Sequence, residues 1–284
     1  MKHLPNLSDY PGEEIKEIIN LAIAIKKDPD KFASALFGKT LLMWFEKPSL
    51  RTRVSFEAGM TQLGGHAIYL DTSTTHKKAM LKDEIKCLSK YADIIVARVF
   101  DHSTIKEFVK NSDVPVINAL CNNFHPCQAL ADMMTIFEVK GSFDTTLAYV
   151  GDGNNVCNSL IIAGKKLGVN IKVATPSSLK PDHEPYLYDI NPKIAVKDAE
   201  FVYTDTWVSM GNELEKKNLI TKLKPYQVNS SLLGEKYFMH CLPAYPGNEV
   251  DEEVIDSQNS LVFQQAGNRL HVQKAIMLKL LDRA

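Results

Sequence analysis

The chain is poor in the features that mark the specialised classes of protein, and each absence removes a family of functions. Its five cysteines, Cys87, Cys121, Cys127, Cys157 and Cys241, are odd in number and form no C-x-x-C pair. That argues against a disulfide scaffold and a structural zinc site, and for a reduced, cytoplasmic setting. Neither sign of charge dominates: 33 Lys and Arg against 34 Asp and Glu leave a net charge of -1. Neither nucleic acid nor an anionic membrane is therefore an expected partner, and any anion must be held locally. No apolar run approaches the length of a membrane span, and Met1 to Pro11 lacks a basic-then-apolar signal pattern. Internal repeats, coiled-coil heptads and low-complexity tracts are missing as well. So are the nucleotide loops. Gly151-Asp152-Gly153-Asn154-Asn155 has G-x-G, but Val156 stands where the third glycine of a dinucleotide fingerprint belongs.

What remains is a chain of 284 residues, 45% hydrophobic and 24% charged, long enough for two medium α/β domains. Short apolar runs alternate with helical patterns. Strands are expected at Leu41–Phe45, Ala67–Leu70, Asp93–Arg98, Val114–Ala119, Leu147–Gly151, Ile171–Thr175, Phe201–Asp205, Tyr237–Cys241 and Leu261–Gln265. Helices are expected at Asp83–Tyr91, Thr104–Lys110, Pro126–Glu138, Asn158–Leu167 and Asn191–Ala199, with an amphipathic terminal helix over Asn268–Leu281. Strands apolar on both sides, separated by helices, imply doubly wound parallel sheets covered on both faces. Nine strands imply two such sheets. The polar stretch Val139–Asp144 reads as the crossing between them, and Ser73–Leu81, polar and unpatterned, as an exposed mobile loop.

In an open parallel sheet, ligands sit beyond the carboxyl ends of the strands, so the polar residues there carry the chemistry. The most informative is Ser49-Leu50-Arg51-Thr52-Arg53. Pro48 breaks the chain, Ser49 can cap, and Phe56, Met60 and Leu63 then recur at helical spacing, so two guanidinium groups and two hydroxyls lie on a strand-to-helix turn. Unpaired N–H groups, a positive dipole end and an Arg fork together suit phosphate oxygens. Taken alone, the stretch could equally be a capped helix with solvated arginines. Arg98, closing a strand, could be a surface ion-pair partner, and Cys241 a small buried hydrophobe. His125-Pro126-Cys127-Gln128, Asp205-Thr206-Trp207-Val208-Ser209-Met210-Gly211, His240-Cys241-Leu242-Pro243 and Asn268-Arg269 complete the set. The set is persuasive only jointly.

Jointly, from about Leu41 to the C-terminus, these stretches resemble the aspartate/ornithine carbamoyltransferase family through F-x-x-P-S-x-R-T-R, H-P-x-Q, D-x-x-x-S-M-G and H-C-L-P, the last two resembling its ornithine branch. The resemblance implies two doubly wound domains, 1–130 completed by the C-terminal helix 267–284, and 131–266, with the active site in the cleft between them. It implies that Ser49, Arg51, Thr52 and the backbone of Leu50 hold the phosphate of carbamoyl phosphate. Arg98, His125, Gln128, Arg269 and the backbone near Cys241 and Leu242 would surround its carbamoyl end. Asn155, Asp205, Ser209 and Met210 would hold L-ornithine, and the Leu242–Pro243 bond would be cis. Two departures stand out. Leu50 replaces the threonine common in relatives, and Ser73–Leu81 lacks the usual glutamine-containing or Gly-Arg-Gly-Glu loop. That loop reaches a neighbouring subunit's site in relatives, which leaves Thr74, His76, Lys77 and Lys78 as candidates here and a homotrimer, or a multiple of it, as the expected assembly.

The implied reaction is attack by the neutral δ-amine on the carbamoyl carbon, giving citrulline and phosphate without metal or organic cofactor. Arg51, Arg98, His125, Asp205 and Cys241 would be its catalytic residues. Other amine acceptors on the same fold (acetylornithine, succinylornithine, putrescine, aspartate) are the nearest alternatives, although the Pro-Leu-Pro-Arg element of the aspartate branch does not occur. A Rossmann-type nucleotide binder would need the glycine loops already found missing. A silent regulatory subunit would not need the complete set Arg51, Arg98, His125 and Cys241.

Overall fold

The computed structural model describes residues 1–72, 80–208 and 213–284, with the side chains of 213–215 left aside. The strands are β1 Thr40–Phe45, β2 His66–Asp71, β3 Ile94–Arg98, β4 Val116–Leu120, β5 Thr146–Val150, β6 Asn170–Ala174, β7 Leu187–Asp189, β8 Phe201–Thr204 and β9 Tyr237–His240. The helices are α1 Gly12–Lys27, α2 Leu50–Gln62, α3 Leu81–Leu88, α4 His102–Asn111, α5 Pro126–Lys140, α6 Asn155–Leu167, α7 Pro192–Val196, α8 Glu213–Leu223, α9 Ser230–Leu233, α10 Glu252–Ile255 and α11 Val262–Leu280. The chain divides into two compact units, residues 1–134 with 268–284, and residues 135–267. Each is a parallel sheet with helices, the α/β class that the alternating pattern implies.

In the first unit the sheet order is β2-β1-β3-β4 and every pairing is parallel. The winding direction therefore reverses between β1 and β3, which puts the crevice for a ligand at their carboxyl ends. Leu41 to Phe45 and Ile94 to Ala97 are buried, as strands covered on both faces must be. The N-terminal segment lies beside β4, with Leu4 N–H donating to Val116 O at 2.7 Å and Asn118 N–H to Leu4 O at 2.9 Å. α1, absent from the sequence expectations, buries Ile15, Ile18, Ile19, Ala22 and Ile25 at helical spacing. The end of α11 returns to this unit, where Lys279 pairs with Glu17 at 2.5 Å.

The second sheet runs β7-β6-β5-β8-β9, again parallel, and its winding reverses between β5 and β8. Its core includes Ala148, Val150, Ala174, Val202, Trp207 and Phe238. One expected strand is not a strand. Leu261–Gln265 follows an isolated bridge of Ser260 with Phe238, donates from Leu261 N–H to Phe238 O at 2.8 Å, and enters α11 at Val262. Its run of Leu-Val-Phe mimics a buried strand, a confusion that periodicity cannot resolve in so short a segment. The ninth strand is β7, at the opposite edge of the sheet beside β6, whose half-buried Leu187, Tyr188 and Asp189 carry no such run. α8 was likewise unforeseen. Of Ser73–Leu81, residues 73–79 lie outside the described residues, Met80 is exposed and Leu81 opens α3.

Candidate active site

In the first unit, Ser49 caps α2: its hydroxyl accepts from Thr52 N–H at 3.4 Å. The first helical acceptor is Ser49 O, reached by Arg53 N–H at 3.1 Å. The N–H groups of Leu50 and Arg51 precede it, and helix geometry leaves them available to a ligand. Leu50 and Arg51 are exposed, and Arg51 has no ion-pair partner among the described residues. Arg53 differs from the expectation of a second cradle guanidinium. It pairs with Glu57 at 2.9 Å, one helical turn on, and stacks over Tyr69 at 4.0 Å.

Behind the cradle lies a buried polar network that joins distant segments. Arg269, on α11, donates through Nη1 to Gln128 Oε1 at 2.6 Å and through Nη2 to Thr52 Oγ1 at 3.1 Å. Gln128 in turn donates to Asp132 Oδ1 at 2.8 Å, one turn along α5. Asp132, fully buried, was not foreseen from sequence, although its i+4 spacing from Gln128 was a usable signal. His125, buried just before Pro126 opens α5, has its pKa held well below 6.5 by burial first, then by the charges of Arg269 and Arg98. It is therefore a neutral imidazole, able to donate from one nitrogen only. Arg98 ends β3 at a register shift. Lys47, also passed over in the sequence, lies close enough for burial and Arg98 to lower its pKa; its ammonium donates to Asn122 Oδ1 at 2.6 Å. This unit thus concentrates positive charge in a chain whose net charge is -1.

The second unit gathers the acceptor-type residues past β5, β8 and β9. Asp205, 5% exposed, accepts at Oδ1 from Thr206 N–H at 2.8 Å and from the Cys241 thiol at 2.9 Å, and at Oδ2 from Asn154 Nδ2 at 2.7 Å. Asn155 opens α6, half-buried, next to Asn154. Asp152 is a further carboxyl in this region, its pKa raised to about 6 by burial and then by Asp205. Asp152 and Asn154 lie in the Gly151–Asn155 stretch, of which the sequence reading gives a role to Asn155 alone. After β9, Leu242 takes a positive φ of 56° and the Leu242–Pro243 bond is cis, as the resemblance implied. Leu242 N–H donates to His240 Nδ1 at 2.8 Å, while His240 Nε2 lies 3.3 Å from the buried Glu249 Oε1. Ser209 and Met210 lie outside the described residues.

Among the described residues, Asp205, His240 and Cys241 offer one ligand atom each within 4.8 Å of one another. His240 Nδ1 already accepts from Leu242 N–H and its Nε2 faces Glu249 3.3 Å away, so the trio is better suited to orienting a backbone than to binding a cation.

One parallel-sheet unit offers a capped helix N-terminus backed by a buried arginine and a neutral histidine, the other a buried carboxylate–thiol pair, a set that suits an α/β enzyme handling charged substrates. The matches to known proteins specify it. Residues 2–138 match the carbamoyl-P binding domain of aspartate/ornithine carbamoyltransferase, and residues 144–280 match the Asp/Orn binding domain. The chain belongs to the aspartate/ornithine carbamoyltransferase family. An ornithine carbamoyltransferase of Archaeoglobus fulgidus is 46% identical over 302 residues, covering 100% of this chain and 98% of the relative. A catabolic ornithine carbamoyltransferase of Halobacterium salinarum is 43% identical over 297 residues, covering all of both chains. The solved structure of the Pyrococcus furiosus ornithine carbamoyltransferase superposes with a TM-score of 0.95 at 45% identity, covering 99% of this chain and 97% of that one.

Proposed function

We propose that this chain transfers the carbamoyl group of carbamoyl phosphate to the δ-amine of L-ornithine, giving L-citrulline and phosphate. The observation that carries the reading is the Asp205–Cys241 contact at 2.9 Å. It joins the two motifs of the ornithine branch and offers a buried carboxylate to a cationic amino acid. An isolated buried carboxylate is costly, and an ammonium partner offsets that cost.

Ser49, Arg51, Thr52 and the N–H groups of the first turn of α2 hold the phosphate. Arg98 and His125 donate to the carbonyl oxygen as it gains charge, and Gln128 and Arg269 fix the carbamoyl end. Asn155, Asp205, Ser209 and Met210 hold ornithine. Its δ-ammonium must first lose a proton, which the Asp205–Cys241 pair receives. The amine nitrogen then bonds to the carbamoyl carbon, the bond from that carbon to the phosphate oxygen breaks, and the departing phosphate takes the second proton from that nitrogen. Alignment of the two reactants is worth about 7 kcal/mol or more in well-oriented systems.

The assembly we propose is a homotrimer or a multiple of it. Leu50 and Val54, one turn apart on α2, are exposed apolar side chains, 76% and 52% accessible, and support a face that a second copy covers. Sedimentation of an active monomer would contradict it. A cytoplasmic location fits five free cysteines. The deciding experiment for the activity is citrulline formation from carbamoyl phosphate against a panel of ornithine, acetylornithine, succinylornithine, putrescine and aspartate. Faster carbamoylation of any acceptor other than ornithine overturns the reading.

A further inference from the structure

We infer that Asn154 is the positioning residue for the acceptor carboxylate, its amide locking Asp205 in a single orientation; the inference rests on the ornithine reading and deepens it. The amide of Asn154 can face only one way. Its Oδ1 accepts from Val156 N–H at 3.0 Å, Cys157 N–H at 3.2 Å and Tyr149 O–H at 3.1 Å. Tyr149 is fully buried with its pKa raised well above 10, by burial first and Asp205 second, so its phenol remains a donor. A flipped amide would set an NH2 group against three donors. Nδ2 is therefore directed to Asp205 Oδ2, at 2.7 Å.

Asp205 is then held at both oxygens, since Oδ1 already receives Thr206 N–H and the Cys241 thiol. A carboxylate gripped in this way cannot rotate, and only the remaining lone-pair directions face an incoming ammonium. The backbone that delivers Asn154 is itself fixed. A Cβ at Gly153 would meet Leu179 O at 2.4 Å, so only glycine fits against that neighbouring segment. Capping of α6 explains the contacts of Oδ1. It does not explain the contact of Nδ2, because Asp and Ser cap as well and bring no such donor.

That difference supplies the test. Asn154→Asp keeps the cap and the side-chain shape but turns an oxygen toward Asp205, whereas Asn154→Ser keeps a cap, carries no charge and is too short to bring a donor to Asp205 Oδ2. For Asn154→Asp we expect kcat/KM for ornithine to fall by about a hundredfold. For Asn154→Ser we expect a fall of about tenfold. In both variants the KM for carbamoyl phosphate should stay within about twofold of wild type. A pure capping role predicts parity for both variants, and a pure packing role predicts that Ser is worse than the isosteric Asp. Either of those patterns, or a loss shared equally by both substrates, overturns the inference. Should Asn154→Asp fail to fold, Asn154→Ser decides alone: a loss confined to ornithine supports the role and parity refutes it. Absence of citrulline from the wild-type enzyme would instead refute the proposed function, so the two failures are distinguishable.

Discussion

Removing Arg269 tests the first unit most sharply, because that one guanidinium bridges segments more than a hundred residues apart. In Arg269→Ala, Gln128 Oε1 and Thr52 Oγ1 both lose their donor. A stranded buried acceptor costs about 1–3 kcal/mol, and the cost is reduced here because no guanidinium need be buried, so we expect a net loss of stability of about 2–3 kcal/mol. The activity loss should be larger. Arg269 fixes the carbamoyl end for the oxyanion donors Arg98 and His125, and loss of one preorganised charged contact at a reacting group lowers kcat by about a hundred- to a thousandfold. Arg269 is also the second cause, after burial, of the depressed pKa of His125. In the alanine variant that pKa rises, and the acid limb of the rate profile moves to higher pH. Arg269→Lys separates the two effects: a point charge keeps the influence on His125 but cannot span both acceptors. It should lose activity almost as Ala does while leaving the acid limb in place. The assays are citrulline formation across pH and urea unfolding. Alanine activity within about tenfold of wild type, a difference of about 1.4 kcal/mol, would refute the reasoning.

Arg51→Ala should nearly abolish turnover, by at least about a hundredfold, with an unchanged urea midpoint, because the residue is exposed and contributes to phosphate binding rather than to the fold. Asp205→Asn should lower kcat/KM for ornithine by about 3–5 kcal/mol of transition-state stabilisation while leaving the KM for carbamoyl phosphate nearly unchanged. His125 is neutral in the folded state, and below its ordinary value of 6.5 the unfolded chain takes up a proton that the folded chain refuses. Stability should therefore rise with pH up to that value and then level. His125→Asn should flatten the rise by up to about 1.4 kcal/mol per pH unit in urea titrations. Asp152 works in the opposite sense. With its pKa raised from 3.8 to about 6, it contributes stability at low pH that is lost as pH climbs through that interval. Asp152→Asn should remove the fall, so the variant gains stability relative to wild type at pH 7 but not at pH 4.

Much of this protein was determined by its sequence alone, for reasons that are local. Alternation of apolar strands with amphipathic helices marks two parallel sheets, because a strand buried on both faces has no polar side to show. Ser49 before a helical repeat marks a cap, because capping is a contact across three residues. The run Leu261–Gln265 was misread and β7 overlooked for the same reason. Composition cannot tell a short buried strand from the first turn of a helix, and an edge strand that is only half-buried carries no apolar signature. What only the tertiary structure decided is which residues meet. The sheet orders, reversing between β1 and β3 and between β5 and β8, bring together loops far apart in the chain. Arg269 reaches Thr52 and Gln128 in that way, and Asn154, Asp205 and Cys241 converge from three separate strand ends. The shift of His125 to a neutral imidazole, the raised pKa of Asp152 and the single direction open to the Asn154 amide all follow from burial and from neighbours supplied by the fold, which no local pattern in the chain encodes.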